Sequence, residues 1–504
     1  MPYKKNLTFL LDKVLSSQVN KPLIGYKNKN KWVWKTRSDL KTNILKCIDV
    51  LRDKNISTFN RVMYKGNNSF EWISWNIATN SLGGIWVPLY DNQSDKYVNH
   101  IINDCKPTLF ITNDKYNGVD CIDNSVLINN NFEKNYWEDL PINYSADIAK
   151  LIYTSGTTGN PKGVMLTHAN IISNYESINM RFEDFKDKNF TTLNILPWAH
   201  IYGLTTELYY NILSGNKIAI SSGKDHFINE MKEIQPDILY LVPRILELIK
   251  SKLEKFDKPI IRCILPYIIK RIFGKNLVTI FIGGAMLDEK TKQFYKDYDI
   301  TLCEGYGCTE TSPMVSVNHL NFPNRNENSI GKIMDNLDVR IDEINDEILV
   351  SGPSVMKGYW RNEKATISVI KIIENKPFYR TGDAGYIKDN FLFYKGRISE
   401  NYKLSNGKFV NLNHIENIVK KYVKNQFVIF GDNKPYNIII CEKSTKQDIV
   451  KNLHLINKEL EKYLQIEKIM EIEDDTFINY FTPKLSLKRK LFVQDFKDKI
   501  NKYY

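Results

Sequence analysis

Short apolar runs alternate with polar, helix-periodic segments through the first three quarters of the chain. Residues 150–156 (KLIYTSG) read as a buried strand entering a loop, and residues 168–178 (HANIISNYESI) as the helix after it. Residues 237–243 (DILYLVP) and 277–284 (LVTIFIGG) are further buried strands, each followed by a polar helical pattern. Strands alternating with helices predict an α/β fold. Near residue 340 the pattern changes. VRIDEINDEILVSG and GYIKDNFLFYKG read as short strands around Asn-Asp and Asp-Asn turns, a local β-meander. After Gly396 the chain turns more helical. The expectation is a large N-terminal portion, residues 1–396, of α/β subdomains plus a β-meander, and a small α+β C-terminal domain, residues 397–504, with the boundary at 396–400.

Composition agrees with a folded chain of this size. At 504 residues, 42% hydrophobic and 25% charged, wholesale disorder is excluded, and the length suits two to four domains or one large domain with a satellite. The net charge is +12, carried mostly by lysine. Twenty basic and 14 acidic side chains follow Gly396, half of the whole excess. Nucleic acid, a membrane surface and an anionic substrate are all candidate partners for such a balance, beside a plain solvated lysine surface. The seven cysteines are scattered, with no CxxC pair and no Cys/His cluster of zinc spacing, and are expected to be reduced and structural in a cytoplasmic protein. The first residues (MPYKKNLTFLLDKVL) lack a leader-like cleavage site. The most apolar later stretch, residues 260–273, is interrupted by Arg262, Lys270 and Arg271, short of the ~20 apolar residues a membrane span needs.

The strongest chemical signal is residues 153–163, YTSGTTGNPKG, after a buried strand and ahead of a helix. Three glycines let the backbone approach an oxyanion closely. Hydroxyls and amide N–H groups supply donors, and Lys162 adds positive charge. The spacing is not that of a Walker A loop.

With this loop the sequence resembles the adenylate-forming superfamily: acyl-CoA synthetases, adenylation domains of peptide synthetases, and luciferases. Further motifs of that superfamily follow in order along nearly the whole chain. They are LPWAHIYG (196–203), GGA (283–285), EGYGCTETSP (304–313), YRTGD (379–383) and KGRISENYKLSNGKFV (395–410). GGIWVPLYDNQS (83–94), LPWAHIYG, the KLSNGK segment and TPKLSLKRK (482–490) are most similar to long-chain fatty acyl-CoA synthetases.

The resemblance implies an ATP- and Mg2+-dependent ligase. A carboxylate attacks the α-phosphorus of ATP, giving acyl-AMP and pyrophosphate, and the CoA thiol then displaces AMP. It implies that Thr154, Ser155, Gly156, Thr157, Thr158, Gly159 and Lys162 hold the β- and γ-phosphates. Gly283, Gly284 and Ala285, with Glu304, Gly305, Tyr306 and Gly307, would line the nucleotide, Tyr306 packing on adenine. Thr309 would bond the α-phosphate and Glu310 would ligate Mg2+ through a hard oxygen. Asp383 would take the ribose hydroxyls, and Arg397 ribose or phosphate. His200 would lie by the acyl carboxylate, flanked by Trp198 and Tyr202, for which acyl lining and core packing both remain open. His168 reads as a helix cap. Gly407 would let pantetheine pass, or simply make a β-turn.

In the superfamily the small C-terminal domain rotates between half-reactions and carries the adenylation lysine. Two departures fall there. Ser399 stands at the pivot, usually Asp or Lys, and the lysine motif is loose, so Lys488 is the candidate with Lys484 and Lys490 as alternatives. The expected substrates are a long-chain fatty acid, ATP and CoA. A fatty acyl-AMP ligase serving a carrier protein, another carboxylate–CoA ligase, and a non-catalytic nucleotide- or lipid-binding relative are the alternatives. Nucleic acid drops out as leading partner. Peripheral membrane contact stays an expectation for residues 258–275, which are basic and apolar, beside a core helix broken at Pro266.

Overall fold

The computed structural model describes residues 6–127, 140–141, 144–154, 161–254, 265–398, 401–410, 412–481 and 487–504. Two mixed sheets organise the N-terminal portion. The first has seven strands in the order Gly358–Tyr359, Lys162–Thr167, Ile148–Thr154, Ile85–Leu89, Arg61–Lys65, Leu109–Ile111, Asp120–Ile122. Its inner strands are parallel. The crossover helix Phe70–Ser81 is buried on all sides except at Glu71, which explains its even spread of apolar residues. Asn76 and Asn80 on that helix accept hydrogen bonds from the Lys150 ammonium, which is fully buried in the neighbouring strand.

One expectation fails here. Residues 155–160 lie outside the described residues, and the helix does not follow them directly. A second strand, Lys162–Thr167, returns antiparallel to Ile148–Thr154, pairing Thr154 with Lys162 in a hairpin. The helix His168–Arg181 starts only afterwards, capped by Thr167 in a capping box with Asn170. His168 is therefore not the cap. It is buried in the first turn, where its Nδ1 accepts the Leu7 N–H at 3.4 Å. Burial, then the Lys150 charge, pulls its pKa down to about 3.

The second sheet has fourteen strands. Five parallel ones form its centre: Lys217–Ile220, Thr191–Asn194, Ile238–Leu241, Thr279–Ile282 and Leu302–Gly307. The meander expected near residue 340 is present but not separate. Met314–Val317 runs antiparallel to Leu302–Gly307 and continues the same sheet into Lys332–Ile333, Phe391–Arg397, Lys376–Lys388, Glu347–Ser351 and Asp338–Ile341. This continuity carries Asp383 and Arg397 to the same region as Tyr306.

Beyond residue 400, Phe427–Phe430, Asn437–Glu442 and Ile466–Ile472 make a three-stranded sheet. Two apolar clusters there contain only residues after 401. The helix Leu412–Lys420 packs on the strand Phe391–Arg397. Ser399 and Glu400, at the expected pivot, lie outside the described residues. In the basic apolar stretch, Pro266 opens the helix Leu265–Phe273 rather than breaking one, as its missing N–H allows. Ile269, Ile272 and Phe273 face a core shared with Phe227 and Met231, while Tyr267 is 70% exposed. Among the described residues no helix is long and apolar enough to cross a membrane.

Candidate active site

Open α/β sheets bind ligands at the carboxyl ends of their strands. Here the ends of Thr279–Ile282 and Leu302–Gly307 carry the GGA and EGYGCTE motifs side by side. Gly283 is buried, and Gly284 and Ala285 are exposed. At Gly307 a Cβ would come within 1.7 Å of the Pro313 carbonyl oxygen, so only glycine lets the chain fold back into the short turn Thr309–Thr311. That turn buries Thr309 and leaves Glu310 half-buried.

The hairpin of the first sheet meets this turn through residues 356–360. The Met356 N–H donates to the Glu310 carbonyl at 2.7 Å, and the Trp360 N–H to the Gly163 carbonyl at 2.7 Å. The Tyr359 hydroxyl donates to Glu310 Oε1 at 2.9 Å, and Lys162 Nζ stands 5.3 Å from the Tyr359 ring centroid. Thr154, Lys162, Thr309 and Glu310 are thus brought together. Ser155, Gly156, Thr157, Thr158 and Gly159 lie outside the described residues. Tyr359 was missed from sequence. Its motif, KGYW, carries no metal-ligand pattern, and only the strand pairing reveals it.

Asp383 is the hub of a second cluster. It is 2% exposed and accepts from the Tyr306 hydroxyl at 2.7 Å and the Tyr394 hydroxyl at 3.4 Å, and pairs with Arg397 Nε at 3.0 Å. Asp383 and Arg397 are opposite residues of one antiparallel hairpin, which sets their distance. Burial pulls the Arg397 pKa down, but the Asp383 charge together with Tyr394, Tyr306 and Cys308 outweighs it and the net shift is upward. Burial, then Asp383, raises the Tyr306 phenol well above its usual value. Glu304 faces a different partner. Its carboxylate pairs with Lys292 at 2.8 Å, and burial, offset by that lysine, raises its pKa.

His200 ends the loop before a π-helical segment, Tyr202–Tyr209, a form often found at functional sites. Gly203 lets the helix back onto this loop, because a Cβ there would lie 2.7 Å from the Pro197 carbonyl oxygen. The Tyr202 N–H donates to His200 Nδ1 at 3.3 Å, which leaves the neutral ring's proton on Nε2. Tyr202 stands against Gly283, its ring 3.2 Å from where a Cβ would sit, and its hydroxyl donates to the Phe281 carbonyl at 3.0 Å. Tyr240 stacks on Phe281 at 5.3 Å behind it. Trp198 does not line the site. It is fully buried against Trp72 at 5.6 Å in the main core, the core-packing alternative for this residue. Sequence reading also missed Glu207, a fully buried acid bonded by the Asn194 side-chain amide. Burial raises its pKa well above the usual carboxylate value, which favours the protonated acid.

Lys488 and Lys490 are exposed, Lys488 immediately before the helix Arg489–Asp495. Lys484 lies outside the described residues. Among the described residues no hydrogen bond or ion pair links Lys488 to Glu310, His200 or Asp383. Gly407 sits in a turn with φ +81°, and open space surrounds the place of a Cβ, so turn geometry alone accounts for the glycine. No cluster of three or more His, Cys, Asp or Glu side chains suited to a metal ion occurs among the described residues. A single hard carboxylate, Glu310, in the neighbourhood of Lys162 fits Mg2+, which takes one or two carboxylates together with substrate phosphates.

Comparison with known proteins agrees with this geometry. The chain matches the family model described as AMP-binding enzyme over residues 11–360, and that described as AMP-binding enzyme C-terminal domain over residues 400–504. It is 24% identical over 444 residues to the long-chain-fatty-acid–CoA ligase FadD15 of Mycobacterium bovis, covering 75% of this chain and 72% of FadD15. It is 32% identical over 298 residues to the probable 4-coumarate–CoA ligase 2 of Dictyostelium discoideum, covering 54% of this chain and 49% of that protein. Among solved structures it resembles the O-succinylbenzoate Coenzyme A synthetase MenE of Bacillus subtilis in complex with ATP and magnesium ion. That likeness has a TM-score of 0.75 at 20% identity and covers 92% of this chain and 95% of MenE.

Proposed function

Because this chain belongs to the AMP-binding enzyme family, we propose that it is an ATP- and Mg2+-dependent acid–thiol ligase acting on a long-chain fatty acid. The carboxylate attacks the α-phosphorus of ATP, pyrophosphate leaves, and the CoA thiol displaces AMP from the acyl-adenylate to give acyl-CoA. The observation that carries the reading is the meeting of Lys162 and Glu310 at Tyr359. It sets a phosphate-binding cation beside a hard carboxylate. Lys162 and Thr154 hold the terminal phosphates, Thr309 the α-phosphate, and Asp383 with Arg397 the ribose. Glu310 would hold Mg2+, which offsets phosphate charge when bound. Lys488 reaches the reacting groups when the C-terminal domain turns toward the site, and His200 positions the acid. The fatty-acid assignment is supported by the similarity to FadD15.

One observation favours a second reading, a compact acid. Tyr202, Tyr240 and Phe281 form a packed aromatic wall behind Gly283, close to His200, which is proposed to position the acid, and this wall would limit the room for a long chain. A panel of acids from acetate to C20, with aromatic acids, scored for CoA-dependent AMP release decides between them. Long-chain activity above all others supports the first reading. Activity on compact acids only, extended to longer chains by Tyr202→Ala, supports the second. No AMP release with any acid, although the protein binds MgATP, would remove both.

A further inference from the structure

We propose that Tyr359 is a positioning residue that couples the carboxylate Glu310 to the phosphate-binding Lys162, so that metal and triphosphate meet one prealigned unit. The inference rests on the roles given to Glu310 and Lys162 under Proposed function.

The two charged groups come from different sheets. Lys162 opens the returning strand of the hairpin in the first sheet, and Glu310 sits in the turn at the end of Leu302–Gly307 in the second. Five consecutive residues fasten them together. Gly358 and Tyr359 pair antiparallel with Met165 and Val164, and the Lys357 and Trp360 N–H groups donate to the Met165 and Gly163 carbonyls at 3.0 and 2.7 Å. The Met356 N–H holds the Glu310 carbonyl. The backbone of Tyr359 is itself held, its N–H donating to Thr366 Oγ1 at 2.9 Å.

The side chain repeats this link with both charges. Tyr359 is 7% exposed, and its one ring touches both groups. Its hydroxyl donates to Glu310 Oε1 at 2.9 Å, and its face lies 5.3 Å from Lys162 Nζ, where a ring quadrupole attracts an ammonium. A phenylalanine would serve the lysine alone, and an aliphatic side chain neither. Tyrosine is the residue that offers a donor edge and a negative face from one rigid plane. Groups that orient a metal ligand from behind affect metal binding by about 10- to 100-fold when removed.

The test uses the full-length protein and four single variants. Tyr359→Phe keeps the ring and loses the hydroxyl. Tyr359→Leu loses both. Glu310→Gln and Lys162→Ala remove the partners. MgATP binding is measured by calorimetry, and acid-dependent ATP–pyrophosphate exchange is followed against free Mg2+, with melting temperatures as the folding control. Tyr359→Phe should weaken MgATP binding about tenfold. It should have no further effect in the Glu310→Gln background. The extra loss in Tyr359→Leu should vanish in the Lys162→Ala background. Wild-type binding by Tyr359→Phe, or losses that simply add to those of Glu310→Gln, would overturn the coupling while leaving the role of Glu310 intact. Unaltered MgATP binding and Mg2+ dependence in Glu310→Gln would instead overturn the reading of that carboxylate, and the proposal with it.

Discussion

Replacing Asp383 by Asn probes the nucleotide end of the site with the smallest change of shape. The carboxylate is almost fully buried and takes the Tyr306 hydroxyl on Oδ2 at 2.7 Å and Arg397 Nε on Oδ1 at 3.0 Å. An asparagine keeps one oxygen and turns an NH2 toward the donor on the other side, so one hydrogen bond is lost to a donor–donor contact. A hydrogen bond to a charged group is worth about 1.5–3 kcal/mol. The Arg397 ion pair adds no more than about 1 kcal/mol, because that side chain is 47% exposed and screened by water. Those contacts exist before ATP binds and bear on stability. The rate loss is that of the ribose hydroxyl's bond to the charged carboxylate, about 1.5–3 kcal/mol, and at about 1.4 kcal/mol per tenfold kcat/KM for ATP should fall about 10- to 150-fold. The assay is acid-dependent ATP–pyrophosphate exchange at varied ATP, with circular dichroism melts to show that the variant is folded. A folded Asp383→Asn whose kcat/KM for ATP stays within about threefold of wild type would refute the assignment of this carboxylate to the nucleotide.

Lys488→Ala should nearly abolish adenylation yet leave thioester formation from supplied acyl-AMP much less affected, and equal loss in both half-reactions would reject that lysine. Glu207→Gln should remove a pH dependence of stability. Burial raises the acid's pKa above its unfolded value of about 4.3, so above that pH the fold retains a proton that the unfolded chain has lost, and wild-type stability falls as pH rises, by at most about 1.4 kcal/mol per pH unit, until the folded pKa is passed. Urea midpoints of the first unfolding transition from pH 5.5 to 8 should therefore decline more steeply for wild type than for the variant, and parallel curves would mean that Glu207 is ionised in the fold.

What could be read from sequence was local. The strands at residues 148–154, 238–241 and 279–282 and the helix His168–Arg181 stood out because each is a continuous apolar run or a 3.6-residue pattern. The charged site residues stood out because a Gly/Ser/Thr-rich segment, Gly-Tyr-Gly and Thr-Gly-Asp are short motifs. The strand Lys162–Thr167 was hidden because KGVMLT runs straight into a capped helix, and nothing local marks the reversal of direction. Trp198 looked like a site residue until Trp72, brought in by a distant helix, claimed it for the core. Tyr359 and Glu207 were illegible for the same reason. Their roles depend on Glu310, Lys162 and Asn194, and those contacts exist only once the sheets are assembled.

The central claim is that a carboxylate attacks the α-phosphorus of ATP. It is tested most directly by giving the enzyme its preferred acid labelled with oxygen-18 in both carboxylate positions, together with ATP, Mg2+ and CoA, and recovering the nucleotide for mass spectrometry. Attack by the carboxylate leaves AMP carrying one heavy oxygen from the acid, with unlabelled pyrophosphate. Unlabelled AMP, or ADP with the label in inorganic phosphate, would contradict it.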